Sequence, residues 1–306
     1  MNLITIRILL TAFIFLVIAY IYNTRVDIDS SFSASSGSSI PGQSDIEINF
    51  QEHTSMAALT PLKYLTVSPL AKHTASIIVL HGLGDTGHGW KPVADMFSPE
   101  LRHVKWILPH APIKPVTINM GMEMTSWFDI YTFEFNPAED EAEKDGLFQS
   151  MRSIDALIKA EVDAGIDPSR IVLAGFSQGG AVVGLTALLG SKARENWGGN
   201  GWNLGGVAVL SGWLALRDIV KELASPNVTN IPIFWGHGTH DPLIKYQYGL
   251  DSVAYLQKEL SVSTVEKTGS LIGVDFRSYH GMGHSTCPKE LNDLKDFFKR
   301  VLPANT

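Results

Sequence analysis

One short segment constrains the fold of this chain more than any other. Residues 175–179 (GFSQG) follow an apolar run at 170–174 and lead into an apolar stretch that reaches residue 189. This order predicts a strand, a sharp turn with Ser177 at its tip, and a helix. Such a turn needs small residues two positions before and after the serine, because the serine backbone is strained and neighbouring Cβ atoms would collide. Ser177 is therefore a candidate nucleophile, and the alternative is a glycine-rich helix start.

Strand and helix patterns alternate through residues 61–306. Apolar, β-branched runs predict strands at 64–67, 76–80, 104–108, 170–174, 206–210, 231–235 and 274–279. Helices are predicted at 90–98, 145–164, 178–189, 216–223, 246–260 and 288–301. The inner strands lack polar alternation, as expected when helices cover both faces of a mostly parallel sheet. The predicted class is a doubly wound α/β domain.

The first 60 residues fall outside this pattern. Residues 3–22 carry Arg7 as their single charge, and twenty helical residues rise about 30 Å, enough to span a hydrocarbon core. We therefore predict a membrane anchor helix within residues 1–22. Residues 23–60 are serine-rich, and a disordered linker is predicted there. Alternatively, the working protein starts at Met56 without this upstream segment.

Charge and cysteine content exclude two classes of protein. The chain has 24 Lys and Arg against 31 Asp and Glu, without a basic cluster. It therefore lacks the positive surface on which nucleic-acid binding depends. Its single cysteine, Cys287, cannot form an internal disulfide, so the chain is not a disulfide scaffold.

A serine nucleophile needs partners from elsewhere in the chain. Its hydroxyl reacts poorly near neutral pH without a histidine base and an acid that orients the base. In this kind of fold the order along the chain is Ser, then Asp or Glu, then His, each on a loop after a strand. Asp241 and His284 fill these places in order after Ser177. Weaker alternatives are His280 for the base and Asp129 and Asp275 for the acid.

The histidines beside Asp241 raise the question of a metal site. His237 and His240 could join Asp241 as ligands, but glycines around them break the helix that would hold two ligands one turn apart. We therefore predict neither a metal site nor a cofactor.

Hydrolysis by a serine also requires two backbone donors for the oxyanion of the tetrahedral intermediate. One is expected from the N–H of Gln178, at a helix amino terminus whose dipole favours negative charge. The glycine-rich residues 81–90 (HGLGDTGHGW) supply the other, and we assign it to Leu83. The alternative, a phosphate-binding loop, lacks the Gly-Lys-Ser/Thr sequence and the dinucleotide glycine spacing.

An aromatic and methionine-rich segment between residues 120 and 135 is a candidate acyl-binding region. Within it we expect Trp127 and Phe128 to contact substrate, and the alternative is ordinary core packing. The segment also contains Met120, Met122, Met124, Tyr131, Phe133 and Phe135.

Six motifs together resemble the acyl-protein thioesterase family, also described as small lysophospholipases and carboxylesterases. They are residues 81–90 (HGLGDTGHGW), 109–112 (PHAP), 126–129 (SWFD), 175–181 (GFSQGGA), 240–243 (HDPL) and 281–285 (GMGHS). The match runs from about residue 61 to 303, with local insertions at 197–202 and 267–273. The resemblance implies an α/β-hydrolase fold without a large cap domain.

The same resemblance implies a function and a set of partners. It implies removal of fatty acyl groups, typically palmitate, from S-acylated cysteines of membrane-associated proteins, with lysophospholipids as alternative substrates. It carries over Ser177, Asp241 and His284 as the catalytic triad, and Leu83 and Gln178 as oxyanion donors. The implied location is the cytoplasm, extending to the nucleus, whereas residues 3–22 suggest a membrane-anchored alternative.

Overall fold

The computed structural model describes residues 60–134, 142–190, 201–265 and 270–304. The predicted anchor, residues 1–22, lies outside this part of the chain, as does all of the predicted linker 23–60 except its last residue. None of the described helices combines the length and the apolar character needed to cross a membrane.

A seven-stranded sheet organises the domain, and the described residues add a separate two-stranded hairpin. The strands are β1 (Tyr64–Val67), β2 (Ala75–Leu80), β3 (Val104–Pro109), β4 (Ile113–Val116), β5 (Met122–Thr125), β6 (Ile171–Phe176), β7 (Gly206–Leu210), β8 (Pro232–Gly238) and β9 (Gly273–Tyr279). The order in the sheet is β1-β3-β2-β6-β7-β8-β9. Only the edge strand β1 runs antiparallel to its neighbour, so the mostly parallel sheet is confirmed.

Helices cover both faces of the sheet, as predicted. They are α1 (Gly87–Phe97), α2 (Lys144–Asp163), α3 (Gln178–Leu188), α4 (Arg217–Leu223), α5 (Tyr246–Leu260) and α6 (Pro288–Val301). Helices α1 and α6 share one apolar core with one face of the sheet. Helices α2 to α5 contribute to the core on the opposite face. Strand β2 is buried at every position, which explains its lack of alternation.

The pattern of α6 shows how the sequence builds such a helix. Pro288 occupies the first turn, where a missing N–H costs nothing, and Lys299 and Arg300 lie in the last turn, where the dipole favours positive charge. Its buried residues follow the i, i+4, i+7, i+8 spacing of one helix face. They are Glu290, Leu294, Phe297 and Phe298.

The hairpin of β4 and β5 differs from the sequence prediction, which contained no strand between residues 109 and 170. Its strands have only four residues each, and β4 contains Pro115, which weakens the strand pattern. The turn between them uses Met120 and Gly121 with positive φ angles of 57° and 76°. This hairpin leads directly into residues 126–128, which contact the site described below.

Candidate active site

Ser177 lies at a sharp turn between β6 and α3. Its backbone has φ 54° and ψ −121°, outside the regions that side chains favour. A Cβ at Gly175 would lie 2.2 Å from the carbonyl oxygen of Gly179, and one at Gly179 would lie 2.6 Å from that of His81. Both positions therefore require glycine for the strand and the helix to meet. The turn presents Ser177 at the carboxyl edge of the parallel strands.

Three predicted residues form a continuous hydrogen-bonded chain at this edge. His284 follows β9, and its Nε2 lies 2.9 Å from Ser177 Oγ. Its Nδ1 lies 2.8 Å from Oδ2 of Asp241, which follows β8. The imidazole can thus accept the serine proton at one nitrogen while the carboxylate orients the other.

Asp241 is held in its ionised form. Its second oxygen, Oδ1, accepts hydrogen bonds from the backbone N–H groups of Leu243 (3.0 Å) and Ile244 (2.9 Å). Burial opposes ionisation of the carboxyl, but its interactions with His284 and His237 outweigh burial and lower the pKa of Asp241 to about 2. The carboxylate is therefore negative whenever His284 takes a proton near neutral pH.

The weaker candidates occupy other surroundings. His280 is exposed and faces His240, with ring centroids 5.5 Å apart. Asp129 accepts hydrogen bonds from Thr117, and Asp275 forms an ion pair with Arg277. Among the hydrogen bonds of the described residues, none joins any of these three candidates to Ser177 or His284.

The histidines beside Asp241 do not assemble a ligand set. His237 is fully buried, and its Nε2 donates to the carbonyl of Ile244 at 2.8 Å. His240 contacts Thr239 instead. Within the described ranges, no group of three or more His, Cys, Asp or Glu side chains converges on a common point where a metal ion could bind.

The two predicted oxyanion donors belong to residues close to Ser177. Gln178 follows Ser177 in the chain, Leu83 lines the same cavity as Ser177, and the two residues are 0% and 8% exposed. Within the described part of the chain, no hydrogen bond occupies the N–H of either residue. Buried N–H groups are nearly always paired in folded proteins. Two open donors near Ser177 are what an oxyanion-binding site would need, so the predicted role of Leu83 and Gln178 is carried forward as a proposal.

The side chain of Gln178 ties this region to the residues that follow the hairpin. Its Oε1 accepts from the N–H of Trp127 at 3.0 Å. Its Nε2 donates to Ser126 Oγ at 3.0 Å and to the carbonyl of Phe128 at 2.6 Å. The sequence analysis assigned a role only to the backbone N–H of Gln178 and missed the role of its side chain. Nothing in the sequence of residues 126–129 indicates that they bond this side chain.

An apolar cavity opens beside Ser177. It holds about 740 Å³, including its opening to solvent, and Ser177 and His284 lie in its wall. Its apolar lining comes from Leu83, Trp90, Ile130, Phe133, Phe176, Leu243 and Ile244.

Trp127 and Phe128, which we expected to contact substrate, are not among the residues that line this cavity. They are 0% and 5% exposed and belong to the core. Trp127 Nε1 donates to the carbonyl of His81 at 2.8 Å, which holds the indole within the core. The structure therefore does not support the expected direct contact of these two residues with a substrate in the cavity.

Other residues of the expected acyl-binding segment divide among three environments. Phe133 lines the cavity, whereas Met120 and Met122 are 71% and 47% exposed on the hairpin. Met124 packs against the core, and Tyr131 donates to Glu143. Phe135 lies outside the described residues. The cavity also takes Trp90, the last residue of the motif 81–90, and Ile130, which lies within this segment; neither residue was assigned a substrate contact from the sequence.

Glu290 is a second buried carboxyl near the site. It is 0% exposed, and neither side-chain oxygen has a hydrogen-bond partner within the described residues. Burial, reinforced by the charges of Asp293 and Asp241, raises the pKa of Glu290 well above its usual range. Burial therefore favours the protonated form of Glu290, and sequence reasoning did not identify this residue.

Comparison with known proteins places this geometry in context. The chain is 44% identical to acyl-protein thioesterase 1 of Cryptococcus neoformans over 245 residues, which cover 79% of this chain and 99% of that protein. It is 42% identical to acyl-protein thioesterase 1 of Mycosarcoma maydis over 259 residues, which cover 80% of this chain and 100% of that protein.

Solved structures show the same architecture. SOBER1 of Arabidopsis thaliana aligns with a TM-score of 0.63 at 32% identity, covering 75% of this chain and 99% of that chain. Acyl-protein thioesterase 2 of Zea mays aligns with a TM-score of 0.64 at 30% identity, covering 78% of this chain and 99% of that chain. The α/β-hydrolase fold is thereby confirmed.

The family assignment follows from the extent of these matches. A sequence profile of the phospholipase/carboxylesterase family matches residues 63–302, which include every residue of the site. The resemblance noted from the six motifs is confirmed. The chain belongs to the phospholipase/carboxylesterase family of α/β-hydrolases.

Proposed function

We propose that this protein is an acyl-protein thioesterase, which hydrolyses the thioester between a fatty acyl group and a protein cysteine. The hydrogen-bonded chain of Ser177, His284 and Asp241 at an apolar cavity supports this proposal most directly. The relatives named acyl-protein thioesterase, at 39% to 44% identity, point to the same substrate class.

The proposed reaction has two steps. His284 accepts the proton of Ser177 Oγ at Nε2 while the oxygen attacks the thioester carbon, and Asp241 stabilises the imidazolium. The N–H groups of Leu83 and Gln178 stabilise the oxyanion. The carbon–sulfur bond then breaks, the cysteine sulfur takes the proton from His284, and an acyl-serine remains.

In the second step, water hydrolyses the acyl-serine. His284 takes a proton from a water molecule, whose oxygen attacks the acyl-serine carbon and forms a second oxyanion at the same donors. The bond to Ser177 Oγ breaks, the serine regains its proton, and the fatty acid leaves. Apart from this water molecule, every group that takes part belongs to the chain, so we propose no cofactor.

The chemistry of the leaving group favours a thioester over an oxygen ester. A thiol has a pKa of about 8.5, far below that of an alcohol, so the departing sulfur demands less proton transfer from His284. The apolar cavity suits an alkyl chain. Lysophospholipase or general carboxylesterase activity on oxygen esters is the alternative, which the family description favours.

A pair of matched peptides tests this proposal. The full chain is given one peptide carrying palmitoyl-cysteine and the same peptide carrying palmitoyl-serine, with lysophosphatidylcholine as a third substrate. We expect the thioester to be cleaved more than about tenfold faster than the oxygen esters, and Ser177→Ala to lower kcat by at least about 10⁴-fold. Ser98→Ala, which removes a buried serine of another region, is the control and should retain activity.

Each other result has a distinct meaning. Preference for palmitoyl-serine or lysophosphatidylcholine would favour the esterase alternative on the same triad. Activity that survives in Ser177→Ala would contradict the assigned nucleophile.

The partners that we propose are S-acylated membrane-associated proteins. Lysophospholipid substrates, contact with a membrane through residues 3–22, and a cytoplasmic location all stay predictions.

A further inference from the structure

His81 is a buried histidine that the proposed reaction does not use. Its Nε2 accepts from the backbone N–H of Ala111 at 3.0 Å, so this nitrogen carries no proton. The single ring proton is therefore on Nδ1, which donates to the carbonyl of Gly82 at 2.7 Å. Burial lowers the pKa of His81 to about 4, so the ring is neutral at neutral pH.

The Gly82 carbonyl belongs to the same peptide unit as the N–H of Leu83. A peptide unit is planar, and in its trans form the C=O and the N–H point in opposite directions. The structure contains no cis peptide bond among its described residues. The ring donates to this carbonyl at 2.7 Å, and the backbone N–H of Asp85 also donates to it at 3.2 Å. With the carbonyl held in this way, the Leu83 N–H points in the opposite direction, and Leu83 and Ser177 both line the cavity.

Further bonds prevent this peptide from rotating alone. The carbonyl of His81 itself accepts from Trp127 Nε1 at 2.8 Å. On the other side of Leu83, the N–H of Gly84 donates to the carbonyl of Thr125 at 2.9 Å. The backbone is thus held before and after the Leu83 N–H, while that N–H itself has no partner within the described chain.

We propose that His81 is a positioning residue that fixes the Leu83 N–H toward the oxyanion through its Nδ1 hydrogen bond to the Gly82 carbonyl. This proposal rests on the proposed function, because it assigns His81 to the oxyanion step of that reaction. The proposal gives the two ring nitrogens of His81 different roles. Nδ1 orients the oxyanion donor, and Nε2 holds the backbone of Ala111.

Two substitutions test the nitrogens separately. An asparagine amide nitrogen can take the position of Nδ1, so His81→Asn keeps a donor for the Gly82 carbonyl and loses the acceptor for Ala111. In His81→Gln, the amide oxygen can take the position of Nε2. This variant therefore keeps the acceptor for Ala111 and loses the donor for the Gly82 carbonyl. Both lose the ring that packs 5.2 Å from Trp127. His103→Gln is the control, because His103 is also buried and bonds a distant carbonyl, that of Leu302.

The assay uses the full chain with the palmitoyl-cysteine peptide and with a small soluble ester. We expect His81→Gln to lower kcat by about 10- to 100-fold with KM within about twofold, since a misdirected donor loses part of the 10²- to 10³-fold effect of a missing one. His81→Asn should stay within about fivefold of the wild-type kcat. A boronic acid that forms a tetrahedral adduct with Ser177 should lose affinity in parallel with kcat.

Two outcomes would overturn the proposal. One is a folded His81→Gln variant with wild-type kcat; the other is an equal loss in folded His81→Asn and His81→Gln variants. If neither variant folds, Trp127→Phe decides, because it removes the N–H that bonds the His81 carbonyl, together with part of the indole ring. We expect a kcat loss of about 3- to 10-fold with unchanged KM, and an unchanged kcat overturns the proposal.

Trp106→Phe is the control for that variant. Trp106 is 1% exposed, and its Nε1 has no partner in the described chain, so the substitution removes no hydrogen bond. Ser177→Ala in the same assays separates this proposal from the proposed function. If Ser177→Ala is inactive while every His81 and Trp127 variant keeps its kcat, only the role of His81 is wrong.

Discussion

The two sides of the site are built by different means. On the oxyanion side, which we define as residues 81–84, residues 126–128 and Gln178, neutral groups bond one another. The Gln178 side chain bonds through both its acceptor and its donor, and His81 uses both ring nitrogens. The two backbone N–H groups beside Ser177 are left open among the described residues.

On the acid–base side, which we define as His237, Asp241, His284 and Glu290, charge and burial dominate. Asp241 is ionised with a pKa of about 2. Burial raises the pKa of Glu290 and so favours its protonated form, and its oxygens have no partner in the described chain. Nδ1 of His237 likewise has no partner in that part of the chain.

This difference shows that the two sides have different requirements: orientation of hydrogen-bond donors on one, and ionisation state on the other. In the proposed reaction, negative charge develops on the oxyanion side only in the transition state, so the donors must be oriented beforehand, and we propose that neutral hydrogen bonds orient them. On the acid–base side a proton moves, so the ionisation state matters most and surrounding groups set it. Substitutions on each side test this division.

Asp241→Asn should have the largest effect, because it removes the charge on the acid–base side without changing shape. An asparagine can present its amide to Nδ1 of His284, which leaves the imidazole in the wrong tautomer. We expect kcat for a soluble ester to fall by about 10⁴-fold. Asp275→Asn, at a carboxylate paired with Arg277, is the control. If Asp241→Asn kept more than about a tenth of wild-type kcat, the ionised acid would not be essential.

Gln178→Glu should have an intermediate effect, because it places charge on the oxyanion side. A carboxylate would face the Phe128 carbonyl, to which Nε2 now donates at 2.6 Å, and would repel the developing oxyanion. We expect kcat to fall by about 10²-fold while the backbone N–H remains. The comparison is Gln149→Glu, an exposed position on α2. Wild-type kcat in Gln178→Glu would show that neutrality on this side is unimportant.

Glu290→Gln should have the smallest effect on rate and a measurable effect on stability. Glutamine matches the neutral acid, so we expect kcat within about threefold of the wild type. The folded protein retains a proton on Glu290 that the unfolded chain releases above about pH 4.5. The wild type therefore loses stability as pH rises from that value toward the native pKa, and the Glu290→Gln variant does not.

Denaturant unfolding of both proteins between pH 5 and pH 9 checks this prediction. The two should have similar unfolding free energies near the acidic end, and the variant should become the more stable one, by about 1 kcal/mol or more, toward the alkaline end. Glu222→Gln, at an exposed glutamate of α4, provides the matched control. A constant difference across the range would show that Glu290 is ionised in the folded protein.

Much of the sheet could be predicted because its strands are short, apolar and bounded by Gly or Pro. The elements β1, β7, α5 and α6 have the predicted bounds. Others extend by a few residues, as β6 does from 174 to 176. Loop residues such as Asp241 and His284 were accessible through their order along the chain, and the structure brings them together; their catalytic roles stay a proposal.

Supporting residues could not be predicted, because their roles depend on orientations that no linear pattern encodes. Trp127 gives the same signal whether its indole faces a cavity or the His81 carbonyl. Glu290 did carry a signal, since it occupies the first place of the buried stripe of α6. A charged residue there is usually read as part of the solvated face, and only the packing against the sheet shows otherwise.

The backbone of Ser177 has a consequence for the balance between stability and activity. A non-glycine residue held at such angles costs about 1–3 kcal/mol. Glycine suits this position best, but it has no hydroxyl with which to react. Ser177→Gly should therefore give a more stable protein that has lost its reactive group, so stability and activity oppose each other at this one position.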